Sequence, residues 1–352
     1  MRQGTYRRAR HQFGAAIVSA MLTVALVATL ASAVLWQQWR AIEVETAERT
    51  RGQAAWILTG ALDWARLILR EDARKGGPDH LAEPWAVPLE QARLSSFLAV
   101  DRSDALQADA AFDAFLSGQI TDLQSRLNLT NLVREGRVDA SARQAFVRLF
   151  ALLELPPSEL DTLLAGLRQA HGRARAASAA LEGPTAPSVD DAKDAANAPA
   201  VDDAALLPQE LEQLAWLGLS ARTIERMRPF VTLLPQRTPV NLNTASAEVI
   251  YASVQAYELA DAHRLVSARA LNHFSTLADA ERVVGKEDAK LSDTLHSLNS
   301  SFFEVRGRLQ IDQAIVQERS LVQRTGLEVK TLWRRRGVEP GARPYNDRSP
   351  RP

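Results

Sequence analysis

GAAIVSAMLTVALVATLASAVLWQQWRAIEVETAERTRGQAAWILTGALDWARLILR, residues 14–70, decides the architecture of this chain. From Ala15 to Trp36 it holds no charged residue and is rich in Ala, Val and Leu. As a helix that stretch is about 33 Å long, enough to cross a hydrocarbon core of about 30 Å. Residues 1–14 precede it with Arg2, Arg7, Arg8 and Arg10 and no acid. A basic flank of this kind stays on the cytoplasmic side, which directs the remaining 300-odd residues across the membrane. Trp36 and Trp39 sit where interfacial aromatics anchor a helix end. Three readings follow: a cleaved signal with Ala31-Ser32-Ala33 as its small-residue site, an uncut single-pass anchor, or a chain cut at Gly14 that keeps its apolar helix.

The segment beyond the membrane helps to choose. Residues 41–70 contain no proline, and Ala54, Ile57, Leu58, Ala61, Ala65, Ile68 and Leu69 recur at three- and four-residue steps. Glu43, Glu45, Glu48, Arg49 and Arg51 make the stretch before them polar all round. The pattern predicts one helix of about 55 residues, apolar first, solvated in its middle and packed at its end. Gly52 and Gly60 weaken it, and Gly76-Gly77-Pro78 end it. This arrangement resembles type IV pilin-like proteins, whose leader is cut on the cytoplasmic side.

Further along, residues 80–88 are too proline-rich for a helix, 89–116 read as helical or mixed, and 118–132 as an extended segment ending in a turn. Helical patterns occupy 140–168, interrupted by Leu155-Pro156-Pro157, and return at 206–232. Between them, residues 171–205 contain 13 Ala, Pro184, Pro187 and Pro199, no aromatic, and the tetrad Val-Asp-Asp-Ala twice, which reads as a solvated linker. The period then changes. Phe303, Val305, Leu309 and Ile311 alternate with polar residues, as do Leu327, Val329, Thr331 and Trp333 after Gly326. Both are half-buried strands. The tail from Gly337 is proline-rich and reads as disordered.

Of 352 residues, 46% are hydrophobic, and 42 Lys and Arg balance 42 Asp and Glu. Zero net charge argues against a chain built to grip polyanions. Cysteine is absent, so thiol catalysis, disulfides and Cys-based zinc sites are excluded. The six His (His11, His80, His171, His263, His273 and His296) show no metal-ligand spacing, and no nucleophile elbow, phosphate loop or dinucleotide fingerprint occurs. His263 and His273 read as surface or capping residues. Asp101, Asp104, Asp109 and Asp113 fail an EF-hand reading, with no glycine at the sixth position and Phe112 at the twelfth.

One segment, 239–279, raises nucleic acid. Pro239-Val240-Asn241-Leu242-Asn243-Thr244-Ala245-Ser246 leads into a helix that Asn243 or Thr244 would cap, with Glu248 in its first turn. It is similar to the opening of helix-hairpin-helix modules, including those of membrane-anchored DNA-uptake receptors. Their hairpin needs a glycine-containing turn that brings backbone N–H groups to a phosphate. Residues 252–258 here have no glycine, and residues 236–290 hold six basic against seven acidic residues. A membrane-tethered DNA receptor is therefore the alternative, and no nucleic-acid partner is expected. Its test falls on Arg264 and Arg269.

Four segments in order, GAAIVSAMLTVALVATL (14–30), PWAVPL (84–89), the run from Gln119-Ile120-Thr121-Asp122 to Arg126-Leu127-Asn128-Leu129-Thr130-Asn131-Leu132, and VNLNTASAEVI (240–250), resemble general secretion pathway protein K, the large minor pseudopilin of type II secretion systems. The resemblance runs from Gly14 to about Arg336. It implies an α+β fold: a long N-terminal transmembrane helix leading into a pilin-like α/β domain with antiparallel strands that carries a large inserted all-α domain. In boundaries, 1–14 is a cleaved leader, 15–36 the membrane helix, 37–75 its soluble continuation, 76–132 the pilin-like part, 133–295 the helical insertion, 296–336 the closing strands and 337–352 a tail. It implies cleavage by a prepilin peptidase between Gly14 and Ala15, although Phe13 departs from the polar or basic residue common before the cut. Ser19 stands at the fifth mature position, where major pilins carry a Glu that pairs with a neighbour's amine; a tip subunit has no neighbour above to need it. The family caps the pseudopilus with minor pseudopilins I and J on the periplasmic side of the Gram-negative inner membrane and is non-enzymatic. Leu26, Val27 and Leu30 are expected to pack on sister helices. Some members bind calcium, with no ligand assigned here.

Overall fold

The structure is a computed structural model that describes residues 13–94, 114–182, 206–286, 290–311 and 314–337. Its first helix, α1, runs Phe13–Lys75, 63 residues. It is longer than the expected 55 because the helix is already formed at Phe13 and holds to the last basic turn, Arg74-Lys75. Gly76 and Gly77 then take left-handed φ angles of 70° and 107°, which a side chain would oppose. From Ala16 to Arg49 every residue is exposed among the described residues. Burial starts at Ala54 and continues through Leu58, Leu62, Ala65 and Leu69, the three- and four-residue stripe of a helix lying on a surface.

That surface is a five-stranded antiparallel sheet of β1 (Leu89–Arg93), β2 (Ala114–Asp122), β3 (Phe302–Ile311), β4 (Ala314–Thr325) and β5 (Glu328–Arg336), paired in chain order. Phe303, Val305, Leu309 and Ile311 turn towards α1 as their alternation requires. Gly307 shares that face, where an added Cβ would lie 3.0 Å from Leu58 Cδ2, so the missing side chain sets how closely helix and sheet approach. Residues 89–93 are a strand, where a helical or mixed segment was expected. β4 escapes the alternation test because both its faces are covered: Leu321 packs with Leu123 and Leu234 of the insertion, and Val322 packs in the core under α1. Trp85, on a single 3-10 turn at Pro84–Ala86, closes the end of this core edge-on to Phe303.

Neighbouring strands β2 and β3 are separated in sequence by residues 123–301, which form their own core from Leu127 to Leu298. The expected limits of 133–295 are therefore too narrow: Leu127, Leu129 and Leu132 belong to this core, and His296-Ser297 pairs with Val240-Asn241 inside the insertion, not with the closing strands. Its helices are α2 (Ala140–Leu152), α3 (Pro157–Glu182), α4 (Ala221–Met227), α5 (Ala247–Ser253), α6 (Leu259–Leu271) and α7 (Leu277–Val284), with a 3-10 turn at Leu211–Leu217. Three two-residue ladders make it mostly, not wholly, helical. The linker expected from 171 begins later, because alanine favours helix and no proline precedes Pro184, so α3 runs on to Glu182. Residues 118–132 are not one extended segment: β2 stops at Asp122, whose carboxylate caps one 3-10 turn, and Asn128 caps a second. The repeated Val-Asp-Asp-Ala tetrads, the aspartates at 101–113 and the tail beyond Gly337 lie outside the described residues.

The packed and bare parts of α1 separate energetically. Leu69→Ala, at a fully buried position, is expected to cost about 2–5 kcal/mol in urea unfolding. Trp56→Ala, at a residue 79% exposed, should stay within about 0.5 kcal/mol of the parent.

Candidate functional site

The N-terminal stretch of α1 is the first candidate. Gly14 and Ala15 lie in its opening turn. Ser19 returns its hydroxyl to the carbonyl of Ala16 at 2.9 Å, so its polar group is satisfied within its own helix. Leu26, Val27 and Leu30 are 61%, 66% and 66% exposed. The helix has the length and composition to cross a membrane. Its outward face continues past the span through Trp56, Gly60 and Leu67, spaced as one stripe on the side away from the sheet.

The second candidate is the junction between sheet and insertion. Arg324 on β4 is almost fully buried and donates from Nη1 to Asp72 Oδ2 of α1 at 2.8 Å and from Nη2 to Asp79 Oδ2 at 2.6 Å and Ser300 O at 2.9 Å. Its guanidinium lies 4.9 Å from the Phe303 ring centre. Asp79 also accepts from Ser300 N at 2.6 Å. One layer deeper, Asp122 Oδ2 accepts from Ser300 Oγ at 2.6 Å, Thr244 Oγ1 at 2.5 Å and Asn241 Nδ2 at 3.2 Å, while Oδ1 accepts from Gln124 N at 2.7 Å. Burial pushes the Asp122 carboxyl up to about 6 even so, and raises Asp79 against the pull of Arg324. Asp72 is also pushed up to about 6, first by burial and then by the facing Glu83.

Asp72, Asp79 and Glu83 form the one carboxylate cluster among the described residues with oxygens close enough together for a cation. They do not fit calcium as they stand. Arg324 and Ser300 take the oxygens of Asp79 and one of Asp72, and Glu83 Oε2 accepts from His80 N at 2.9 Å and Trp85 Nε1 at 2.7 Å. A calcium ion wants six to eight oxygens, and this cluster has spent most of its own.

The helix-hairpin-helix-like segment is a joint, not a grip. Asn243 does not cap α5; its amide pairs with the backbone of Phe274, donating to O at 3.0 Å and accepting from N at 2.9 Å, and Thr244 is bound to Asp122. Ser246 is the cap, with Glu248 in the first turn as expected. In the hairpin it is the carbonyls that are held. Arg148 donates to Tyr251 O, Gln255 O and Tyr257 O, and Lys286 to Ala256 O. Arg269 is largely buried and donates to Leu242 O, and Arg264 pairs with Asp261. Changing Arg269 would damage the fold, so it cannot serve as a test of DNA binding. His263 is exposed, whereas His273 stacks on His80 with centroids 3.8 Å apart. The roles of Arg148 and Arg324 were not visible in the sequence, since both pair across long separations without a motif.

Arg324→Met, which strands two carboxylates, is expected to cost about 3–5 kcal/mol in urea unfolding. Asp72, with its pKa raised from 3.8 to about 6, favours the protonated form in the fold. That contribution is full below about pH 4 and lost as pH rises to 6. Across this interval the melting temperature of Asp72→Asn should rise relative to the parent; parallel curves would refute the assignment.

Two stretches of the chain, residues 125–236 and 240–299, match the family described as Type II secretion system (T2SS), protein K. Together they cover almost the whole insertion. Type II secretion system protein K of Pseudomonas aeruginosa is 27% identical over 339 residues, spanning 92% of this chain and 90% of that protein. That of Klebsiella pneumoniae is 26% identical over 343 residues, spanning 93% and 97%. In solved structures, the fold is shared with a chain of the GspK-GspI-GspJ complex from the enterotoxigenic Escherichia coli type 2 secretion system, at a TM-score of 0.54 and 18% identity, covering 83% of this chain and 98% of that one. With α1 running into an antiparallel sheet and both matches falling within its insertion, the chain is similar along nearly its whole length to the type II secretion system protein K family.

Proposed function

We propose that this type II secretion minor pseudopilin forms the tip of the pseudopilus, with residues 1–14 removed by a prepilin peptidase and Ala15 as the mature N-terminus. The observation that carries the reading is the bare helix: from Ala16 to Arg49 every residue of α1 is exposed among the described residues, although it is apolar as far as Trp36. A helix of that composition is covered by lipid or by other helices. Leu26, Val27 and Leu30 present the sister-helix surface, and the Trp56–Gly60–Leu67 stripe extends it above the membrane. The arginines of the leader favour a cytoplasmic N-terminus, with sheet and insertion in the periplasm.

Two features support the tip position. Ser19 closes its hydrogen bond internally and needs no amine from another subunit. The insertion joins the sheet where Asp122 meets Phe303, beside the C-terminal end of α1 at Asp72, so its bulk sits at the end furthest from the membrane. A subunit stacked above would collide with it. The likeness to a chain of a GspK-GspI-GspJ complex supports minor pseudopilins I and J as the partners.

Co-expression with a prepilin peptidase should yield a chain beginning at Ala15 by intact mass; a cut after Ala33 would overturn the processing. Removing residues 1–40 should leave the melting of the rest within about 1 °C, since nothing packs there, and abolish secretion. The trimmed protein should co-elute with the soluble domains of I and J. Failure to do so would sink the tip assignment.

A further inference from the structure

The sheet face opposite α1 has work that the tip reading does not use. Gln119, Arg306, Arg319 and Arg335 stand in register across β2, β3, β4 and β5, so three arginines lie abreast on adjacent strands. Strands are about 4.8 Å apart, and like charges at that spacing repel. Arg308 lies one step along β3 on the same face, and Arg126 borders it from the insertion. Against these five cations the described residues of the face set two carboxylates. Glu304 is buried and takes Arg306 and Arg319, the latter at 2.7 Å, and Glu210 takes Arg335. Arg228, nearby, is already held by Glu212 and Glu225. Arg126 and Arg308 have no side-chain partner among the described residues. Burial disfavours the charge of Arg126; Glu304 favours it, and Arg306 and Arg319 oppose it.

Beside Arg306 and Arg308 opens a cleft of about 60 Å³ lined by Arg126, Arg228, Arg319 and Arg335 against Glu210, Glu212 and Glu304. Its floor is Trp333, whose ring centre lies 5.9 Å from the guanidinium of Arg319 and 5.1 Å from that of Arg335. An apolar floor ringed by excess arginines suits carboxylates, which planar guanidinium groups bind in pairs. Lipid headgroups are out of reach. Gly307, beside Arg306, rests on Leu58, which lies about 33 Å along α1 from Trp36 against a screening length of about 8 Å. We propose that this face is a docking surface for an acidic segment of a second protein, approaching from the side away from α1.

The test uses the full-length chain in uncharged detergent micelles and a fluorescein-labelled ten-residue polyglutamate peptide, read by anisotropy. Saturable binding is expected, weaker by about tenfold at physiological than at low salt and absent for polyglutamine. Arg306→Gln with Arg308→Gln should weaken it about tenfold with only a modest fall in melting, because Glu304 keeps Arg319. Arg282→Gln, at an exposed arginine on α7, should leave binding intact. No binding by the parent, or equal binding by the double variant, overturns the proposal. So does binding seen only after deletion of residues 186–203, which contain Asp190, Asp191, Asp194, Asp202 and Asp203, since the face would then be covered by the chain itself.

Discussion

A single guanidinium decides whether this protein is one body or two. Arg324 reaches from β4 to α1 at Asp72, to the connector at Asp79 and to the loop that returns into β3 at Ser300. Through Ser300 it is tied to Asp122, and through Asp122 to Asn241 and Thr244 of the insertion. Buried ion pairs are weak sources of net stability, because desolvation offsets much of the attraction. Their value lies in geometry: a carboxylate denied its arginine is so costly inside a protein that few alternative arrangements of the two lobes can compete. The insertion is held to the sheet by directional bonds, as a part that must keep its orientation requires.

The same economy recurs elsewhere in the insertion. Asn128 accepts from Thr130 N and Leu234 N and donates to Gln236 O and Thr238 Oγ1, while Asn131 exchanges two bonds with Thr238. These side chains replace a sheet ladder between segments too irregular to form one. Arg148 acts likewise on the α5–α6 hairpin, gathering three carbonyls and lying 4.0 Å from the Tyr251 ring centre. A turn that elsewhere offers N–H groups to a phosphate is here committed to the protein's own cation.

Periodicity made the long helix legible, because a stripe at Ala54, Leu58, Ala65 and Leu69 depends only on local spacing. The closing strands at Phe303 and Val329 were legible for the same reason. β1 was not, being five residues long and mostly exposed at the sheet's edge, and neither was β4, buried on both faces at Leu321 and Val322. The segments that carried the family resemblance were recognisable without being intelligible. PWAVPL, RLNLTNL and VNLNTAS prove to be the tryptophan plug against Phe303, the asparagine ladder inside the insertion and the bonds of Asn241 at the lobe junction, with partners a hundred or more residues away. The extent of α3 is not legible because composition marks a tract rich in alanine without saying where its helix ends, and nor are the limits of the insertion, because Leu127 and His296 are placed by distant partners.

The position of the insertion also constrains how the chain reaches its native state. β2 and β3 are hydrogen-bonded neighbours, yet residues 123–301 lie between them. Closing a flexible loop of that length costs about 5 kcal/mol in chain entropy, and every central contact of the sheet waits on it. If the insertion collapses first, Leu127 and Leu298 are brought into one core and the gap shrinks to a few residues at each end. The larger lobe then serves as the nucleus for the smaller. The sheet that cradles α1 is completed last, when the chain's final three strands arrive, so a nascent molecule tethered by its membrane helix has an ordered insertion before it has a finished pilin fold.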